Sequence, residues 1–192
     1  SDNIGLGTNT LSNITSGDYN TAIGSEVLEY NTSGTANTGL GAFALNRNTT
    51  GIQNAAMGYA ALYSNISGNY NLAFGSESLY SNTTGSRNAA FGLQALYSNT
   101  KGGSNTAMGT KTLYSNKSGD YNVAFGAQAL YSNTEGGFNI AIGNKALYSN
   151  TIGTRNAAFG LQSLYSNVDG NNNTGVGYRA LYSNLSGNYN LA

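Results

Sequence analysis

Acidic side chains could perform acid–base or metal chemistry in this 192-residue sequence, but they do not recur in a pattern. General acid–base cleavage of a glycoside requires two carboxylates held at a fixed separation. The eight carboxylates are scattered and form no repeated pair: Asp2, Asp18, Glu26, Glu29, Glu77, Asp120, Glu135 and Asp169. The absence of histidine and cysteine excludes a Ser-His-Asp triad, thiol chemistry and the usual zinc ligands. We therefore predict no enzymatic activity, no cofactor and no metal site.

Among the side chains that could bind a partner, tyrosine recurs most regularly. It follows a leucine at 17-residue intervals in eight successive places: Tyr63, Tyr80, Tyr97, Tyr114, Tyr131, Tyr148, Tyr165 and Tyr182. Such a stripe offers rigid, amphipathic contact area for sugar rings or a partner protein. The alternative is a stacked aromatic ladder that seals the coil edge or a seam between chains. Earlier units have Ser12, Glu29 and Asn46 at this position, so the ring is not required in every unit.

The 17-residue interval is the period of the whole sequence. With each unit starting at glycine, ten full units span residues 17–186, preceded by a partial unit at 1–16 and followed by one at 187–192. The consensus is G-x-x-N-x-A-Φ-G-x-x-A-L-Y-S-N-x-S/T, where Φ is a large apolar residue. A fixed period is the signature of a repeat architecture. We therefore treat residues 1–192 as a single repeat array and expect it to be a fragment of a longer fibre.

The short unit predicts an all-β fold, a parallel β-solenoid or β-roll in which each 17-residue unit forms one coil. A unit of this length is too short for a helix-pair repeat, which needs roughly 33 residues or more. Each unit contains two apolar bursts, for example residues 88–92 and 95–98, bounded by glycine and by asparagine, serine or threonine. Both bursts are typical of short strands between turns. We therefore predict two short strands per coil.

Glycine and asparagine occupy fixed columns of the repeat. The two glycine columns, Gly7 to Gly177 and Gly17 to Gly187, predict two corners where the backbone needs positive φ or close approach. Asparagines stacked at about 4.8 Å per coil can hydrogen-bond along the stack. We predict such a structural ladder at Asn71, Asn88, Asn105, Asn122, Asn139 and Asn156. The alternative is that asparagine is present because it tolerates turns.

Two apolar columns are expected to form the core. The large apolar column is predicted to face the leucine column, Leu11 to Leu181, inside the coil. The column just before the large apolar residue contains only alanine or glycine, such as Ala22 and Gly39. Residues this small suit either a crowded axis shared by several chains or a narrow interior within one coil. We expect the shared axis.

The five-residue core of the unit resembles the head repeats of trimeric autotransporter adhesins of the YadA type. It reads N-I-A-I-G at residues 139–143 and N-T-A-I-G at residues 20–24. The resemblance implies a left-handed parallel β-roll with three chains around one axis, which binds host matrix or surface molecules. The longer string ALYSNTEG, residues 129–136, is similar to repeats of phage-tail-fibre-like surface proteins that end in a self-cleaving chaperone domain.

Charge and hydropathy restrict the partners further. Charged residues make up 8% of the chain, with eight of each sign, so we predict neither nucleic-acid binding nor attraction to an anionic membrane. No apolar run approaches the roughly 18 residues of a membrane helix, so no membrane insertion is expected in this segment. We predict a rigid shaft or stalk segment of an extracellular adhesive fibre, on a cell surface or virion, built as a homotrimer. The alternatives are an adhesin module that binds a surface glycan or protein receptor through the tyrosine stripe and variable turns, and an open filament of end-to-end chains.

Overall fold

Eleven three-residue strands form one parallel sheet in the computed structural model, which describes residues 2–192. Each strand pairs in register with the equivalent strand of the next repeat unit, so that Ala89 lies beside Thr106 and Phe91 beside Met108. This geometry confirms the all-β parallel solenoid with one 17-residue unit per coil. Strands β1 to β11 are Ile4–Leu6, Thr21–Ile23, Thr38–Leu40, Ala55–Met57, Leu72–Phe74, Ala89–Phe91, Thr106–Met108, Val123–Phe125, Ile140–Ile142, Ala157–Phe159 and Thr174–Val176.

Each coil contains one strand, not two. In the second predicted strand, residues 95–98, Leu96 has a φ of 53°. Gln94, which directly precedes this segment, has a φ of 55°. A parallel strand requires a φ of about −120°, so these left-handed residues turn the chain into an arch. The arch still bonds from coil to coil, since the Leu96 N–H donates to the Thr112 carbonyl at 2.9 Å. The prediction of two strands is therefore wrong, because so short a coil must reverse its direction within a few residues.

The interior of the coil is lined by leucine, alanine and asparagine. The leucine column is fully buried from Leu28 to Leu164, and the middle residue of each strand from β2 to β11, such as Ala90, is buried opposite it. Successive side chains of a strand point to opposite faces, so the large apolar residue beside this alanine points outward. The prediction that the large apolar column faces the leucines is therefore wrong.

Space within one coil explains this inversion. A leucine such as Leu96 and its neighbour Ala95 are both fully buried in the arch, which leaves room for only a methyl group or a hydrogen from the strand. The alanine and glycine column therefore lines the inside of each coil and not an axis shared by several chains. The expectation of a shared axis along this column is wrong, and the alternative, a narrow coil interior, is confirmed.

The large apolar residues form a stripe on the outer face of the sheet. Met57 is 44% exposed and Phe159 is 38% exposed, although both side chains are apolar. Phe74 and Phe91 stack along the stripe with centroids 5.5 Å apart. We call the column the outer apolar stripe: Leu6, Ile23, Leu40, Met57, Phe74, Phe91, Met108, Phe125, Ile142, Phe159 and Val176.

The two glycine columns serve different geometric needs. Gly75 has a φ of 134°, and a Cβ there would lie 2.5 Å from the carbonyl oxygen of Gly92 in the next coil. Gly102, from the other column, needs no positive φ, but a Cβ there would lie 2.5 Å from the Gly119 carbonyl oxygen. Both columns therefore allow one coil to approach the next closely, and only the first also requires the left-handed region.

Candidate functional site

The tyrosine column forms a continuous ladder of stacked rings along the arch. From Tyr63 to Tyr182, neighbouring ring centroids lie 5.0 to 5.2 Å apart and the rings are within 4 to 7° of parallel. The in-register coils impose this spacing, because each tyrosine follows the buried leucine of its own coil. The structure thus brings all eight predicted tyrosines into one row.

Stacking determines what this row can offer to a ligand. A sugar packs its C–H face on the electron-rich face of an aromatic ring, so it requires a ring face that no other ring covers. Within the row each ring covers the face of its neighbour, which leaves edges and hydroxyl groups to the solvent. Only the two terminal rings, Tyr63 and Tyr182, each have one face without a stacked tyrosine.

Cationic side chains lie beside several rings of the ladder. The ammonium groups of Lys111 and Lys145 lie 5.9 and 5.8 Å from the ring centroids of Tyr114 and Tyr148. The Arg179 guanidinium lies 5.0 Å from the Tyr182 centroid. The Arg179 contact with the terminal ring is of the attractive cation–π type, which contributes about 0.5–1 kcal/mol where it is exposed. Positive charge therefore accompanies the row without forming a continuous basic patch.

Two phenol groups of the ladder have raised pKa values. Burial raises the pKa of Tyr97 above its ordinary value of 10.0, and the negative charge of Glu77, together with that of Tyr114 and Tyr80 once these phenols ionise, raises the pKa further. Burial likewise raises the pKa of Tyr148, with smaller contributions from Tyr131 and Tyr165. These two phenols therefore ionise only at a more alkaline pH than an ordinary tyrosine does.

The six asparagines predicted to form a ladder lie in one buried column inside the coil. Asn88 is typical: its Nδ2 donates to Asn71 Oδ1 at 3.2 Å and to the Gly102 carbonyl at 2.8 Å. Its Oδ1 accepts the backbone N–H and the Nδ2 of Asn105 at 3.0 and 3.1 Å. These amides have no surface available for a ligand, so their role is structural. The six are Asn71, Asn88, Asn105, Asn122, Asn139 and Asn156.

A cleft of about 460 Å³ opens where the tyrosine ladder begins. It arises because the two coils before Tyr63 have Glu29 and Asn46 in place of tyrosine. The sequence showed this interruption but gave no sign that a concave surface would result. Around it lie two carboxylates, two phenol rings, an amide, a guanidinium and two smaller side chains: Glu26, Glu29, Tyr30, Asn46, Arg47, Thr49, Tyr63 and Ile66.

Residues 2–192 contain no group of three or more histidine, cysteine, aspartate or glutamate side chains close enough to share a metal ion. No helix among these residues has the length and apolar character needed to cross a bilayer. The described residues do present three prominent surface features, namely the outer apolar stripe, the tyrosine ladder and the cleft.

Fold and surface together define the class, a parallel β-solenoid repeat protein with an aromatic ladder on one edge and an apolar stripe on its sheet. Comparison with protein-family models, with curated proteins and with solved structures gives no match. The resemblance of the N-x-A-Φ-G core to the adhesin heads and the tail-fibre repeats stays a prediction.

Proposed function

We propose that the chain is a segment of the shaft of an extracellular fibre, on a cell surface or a virion, in which three copies associate along the outer apolar stripe. The observation that carries the proposal is the unbroken sheet. Every strand from β1 to β11 pairs in register with its neighbours, and no coil changes length. At about 4.8 Å per coil, the sheet is roughly 50 Å long. A rod of this kind transmits force along its axis through a continuous hydrogen-bond ladder.

The outer face of the sheet supports association between copies. It presents the outer apolar stripe and the first residue of each strand, and neither column contains a charged residue. A three-residue strand is about 10 Å long, so this face covers roughly 50 by 10 Å. That area is within the roughly 300–600 Å² of the largest apolar patch on a typical monomer, and such patches are often functional. Within the array, Met57, Met108 and Ile142 are 44%, 42% and 40% exposed on this face.

A second copy of the same chain is the partner that this face fits. The face repeats every coil, so an aligned copy presents apolar residues at the same spacing along its full length. Three faces around one axis would place each stripe against the other two, which would remove all of them from water. The number three and a left-handed coil come from the resemblance to adhesin heads, and we adopt both in the proposal.

Mass in solution tests the association. Sedimentation equilibrium of the 192-residue chain should give three times the chain mass. Phe91→Asp places a charge in the middle of the stripe and should shift the mass toward that of one chain. Leu93→Asp is the matched control, because Leu93 is 48% exposed but lies beyond the end of strand β6. A single-chain mass for the unaltered protein, or equal dissociation by both variants, would contradict a trimer along this face.

Electron microscopy tests the shaft role separately. Discrete straight rods, with a length of roughly 50 Å for this chain, are expected for a shaft segment. Flexible or globular particles would argue against the shaft. Fibres of indefinite length would favour the alternative of an open filament made by end-to-end stacking.

A further inference from the structure

We propose that the cleft at the start of the tyrosine ladder binds a saccharide, with one pyranose ring packed on the face of Tyr63 that no other ring covers and its hydroxyl groups held by Glu26, Glu29 and Arg47. This proposal does not rest on the shaft role, since the cleft would be present in any assembly that leaves the arch exposed. It also differs from binding along the tyrosine row, where ring faces cover one another.

Tyr63 is the one ring at this end of the ladder that can receive a sugar. Tyr80 stacks on one of its faces with centroids 5.2 Å apart and an angle of 7°. The other face has no stacked tyrosine, because the preceding coil has Asn46 at the equivalent position. Phe43 meets the ring edge-on, with centroids 6.5 Å apart and an angle of 64°. No ring stacks on this second face, and the group that lies over it is the Arg47 guanidinium, with its carbon 5.3 Å from the ring centroid. A sugar packed there would contact the ring and the guanidinium together.

The floor of the cleft is fixed by hydrogen bonds. Asn46 is 2% exposed, and its Nδ2 donates to the Glu26 carbonyl at 2.8 Å and to Glu29 Oε2 at 3.2 Å. Both amide hydrogens are therefore used, which holds the amide in one orientation. The bond also holds the Glu29 carboxylate at the cleft, while its second oxygen is available to accept from a ligand.

The polar groups around Tyr63 combine acceptors with donors. Glu26 and Glu29 are acceptors when ionised, and the Arg47 guanidinium offers several N–H donors. Its carbon lies 5.3 Å from the Tyr63 centroid, so these donors are next to the ring. A sugar hydroxyl both donates and accepts, so a saccharide can satisfy both kinds of group while its C–H face covers the ring.

Charge argues against simpler ions as the ligand. An ammonium ion would meet the positive charge of Arg47, and a phosphate would meet the carboxylates of Glu26 and Glu29. A neutral polyhydroxylated ligand has neither penalty. The volume of about 460 Å³ is within the range of roughly 300–1,000 Å³ that is typical of small-molecule sites.

The rest of the tyrosine ladder holds the Tyr63 ring in place. Seven further tyrosine rings stack behind Tyr63, so its ring is held before a ligand arrives. A side chain that is already ordered loses less conformational freedom on binding, which favours affinity. The interrupted column therefore forms a cleft with a rigid aromatic wall.

Saccharide binding tests the proposal with three matched variants. The unaltered chain is applied to an array of neutral oligosaccharides that end in glucose, galactose, mannose, N-acetylglucosamine or N-acetylgalactosamine, and hits are titrated by saturation-transfer NMR. Tyr63→Ala and Glu29→Gln should each weaken binding at least tenfold. Tyr131→Ala should leave binding within about twofold, because both faces of that ring are covered within the ladder. Circular dichroism shows whether each variant is folded, and Glu29→Gln preserves the side-chain shape.

Three results would overturn the proposal. The first is that the unaltered chain binds no saccharide of the array. The second is that Tyr131→Ala weakens binding as much as Tyr63→Ala, which would assign the site to the tyrosine row. The third is that tetramethylammonium or inorganic phosphate displaces the bound saccharide in competition, which would assign the cleft to an ion.

Discussion

Gly39 and Val27 occupy the same part of the coil interior, on opposite walls. A Cβ at Gly39 would overlap Val27 Cγ1, so the glycine makes room for the one valine among the buried residues that precede the leucines. The same relation recurs where a Cβ at Gly175 would lie 2.6 Å from Ser163 Oγ. At these two places, a larger side chain on one wall of the coil is matched by glycine on the other.

This relation predicts a compensating pair. Gly39→Ala alone should lower the free energy of unfolding by about 1–3 kcal/mol through overpacking, and Val27→Ala alone by about 1–3 kcal/mol through a cavity. The double variant recreates the alanine–alanine pairing of other coils and should be less destabilised than the sum of the two by at least about 2 kcal/mol. Denaturant unfolding of the four proteins measures this coupling. Strict additivity would contradict the inward orientation of the strand alanines.

The asparagine ladder predicts a large effect from one buried amide. Asn105→Ala removes the acceptor for the N–H and Nδ2 of Asn122, bonded at 2.9 and 3.1 Å, and the donor for the Gly119 carbonyl. Buried groups left without partners should lower the free energy of unfolding by about 3 kcal/mol. The control, Asn144→Ala, removes one exposed bond to the Ala127 carbonyl and should cost less than about 0.5 kcal/mol. Equal effects in chemical denaturation would refute the structural role of the ladder.

Coil-on-coil stacking predicts that the chain tolerates loss of a whole unit but not of a fraction of one. Deletion of residues 103–119 removes one complete repeat unit and joins Gly102 to Asp120 in the same register. Each coil contacts only its neighbours, so this variant should melt cooperatively with only a modest loss of stability. Deletion of residues 103–118 shifts every later ladder by one position and should abolish cooperative melting, as measured by circular dichroism. Similar melting of the two variants would contradict a fixed coil length.

The tyrosine ladder predicts alkaline destabilisation. Because the pKa values of Tyr97 and Tyr148 lie above the ordinary 10.0, the folded chain retains protons that the unfolded chain releases above about pH 10. The native state then binds more protons, so the free energy of unfolding falls as pH rises through this window and is unaffected by these groups at lower pH. Stability measured against pH should fall less steeply for the double variant Tyr97→Phe, Tyr148→Phe. Identical slopes would contradict the raised pKa values.

Much of the fold could be predicted from the sequence because the period fixes which residues stack. Once Asn88 lies over Asn71 and Tyr97 over Tyr80, the ladders follow from a spacing of about 4.8 Å. The apolar pattern could not predict which side chains of the strand point into the coil. In a three-residue strand such as Ala89–Phe91, alternation is compatible with either the alanine or the large residue inside. The interior volume set by the arch decides between them.

The arch could not be predicted from residue propensities. Leucine rarely adopts positive φ, because its Cβ approaches the following carbonyl oxygen, at a cost of about 1–2 kcal/mol. Leu96 does so at 53°, and burial of its side chain offsets the strain. The cleft was hidden for a different reason: Glu29, Asn46 and Tyr63 belong to three successive coils. The sequence feature that indicates the cleft is the interruption of the tyrosine column. This interruption predicts a site only once it is known that successive coils stack in register.

Distance between spin labels tests the central claim, that equivalent residues of successive coils lie directly over one another along a rod. The chain contains no cysteine, so paired cysteines can be placed at Ser64 with Ser149, five coils apart, and at Ser64 with Ser183, seven coils apart. In samples diluted with unlabelled chain, electron-spin resonance should give narrow distributions centred near ~24 Å and ~34 Å. Broad distributions, or a separation that does not grow by about 10 Å between the two pairs, would contradict a rigid in-register solenoid.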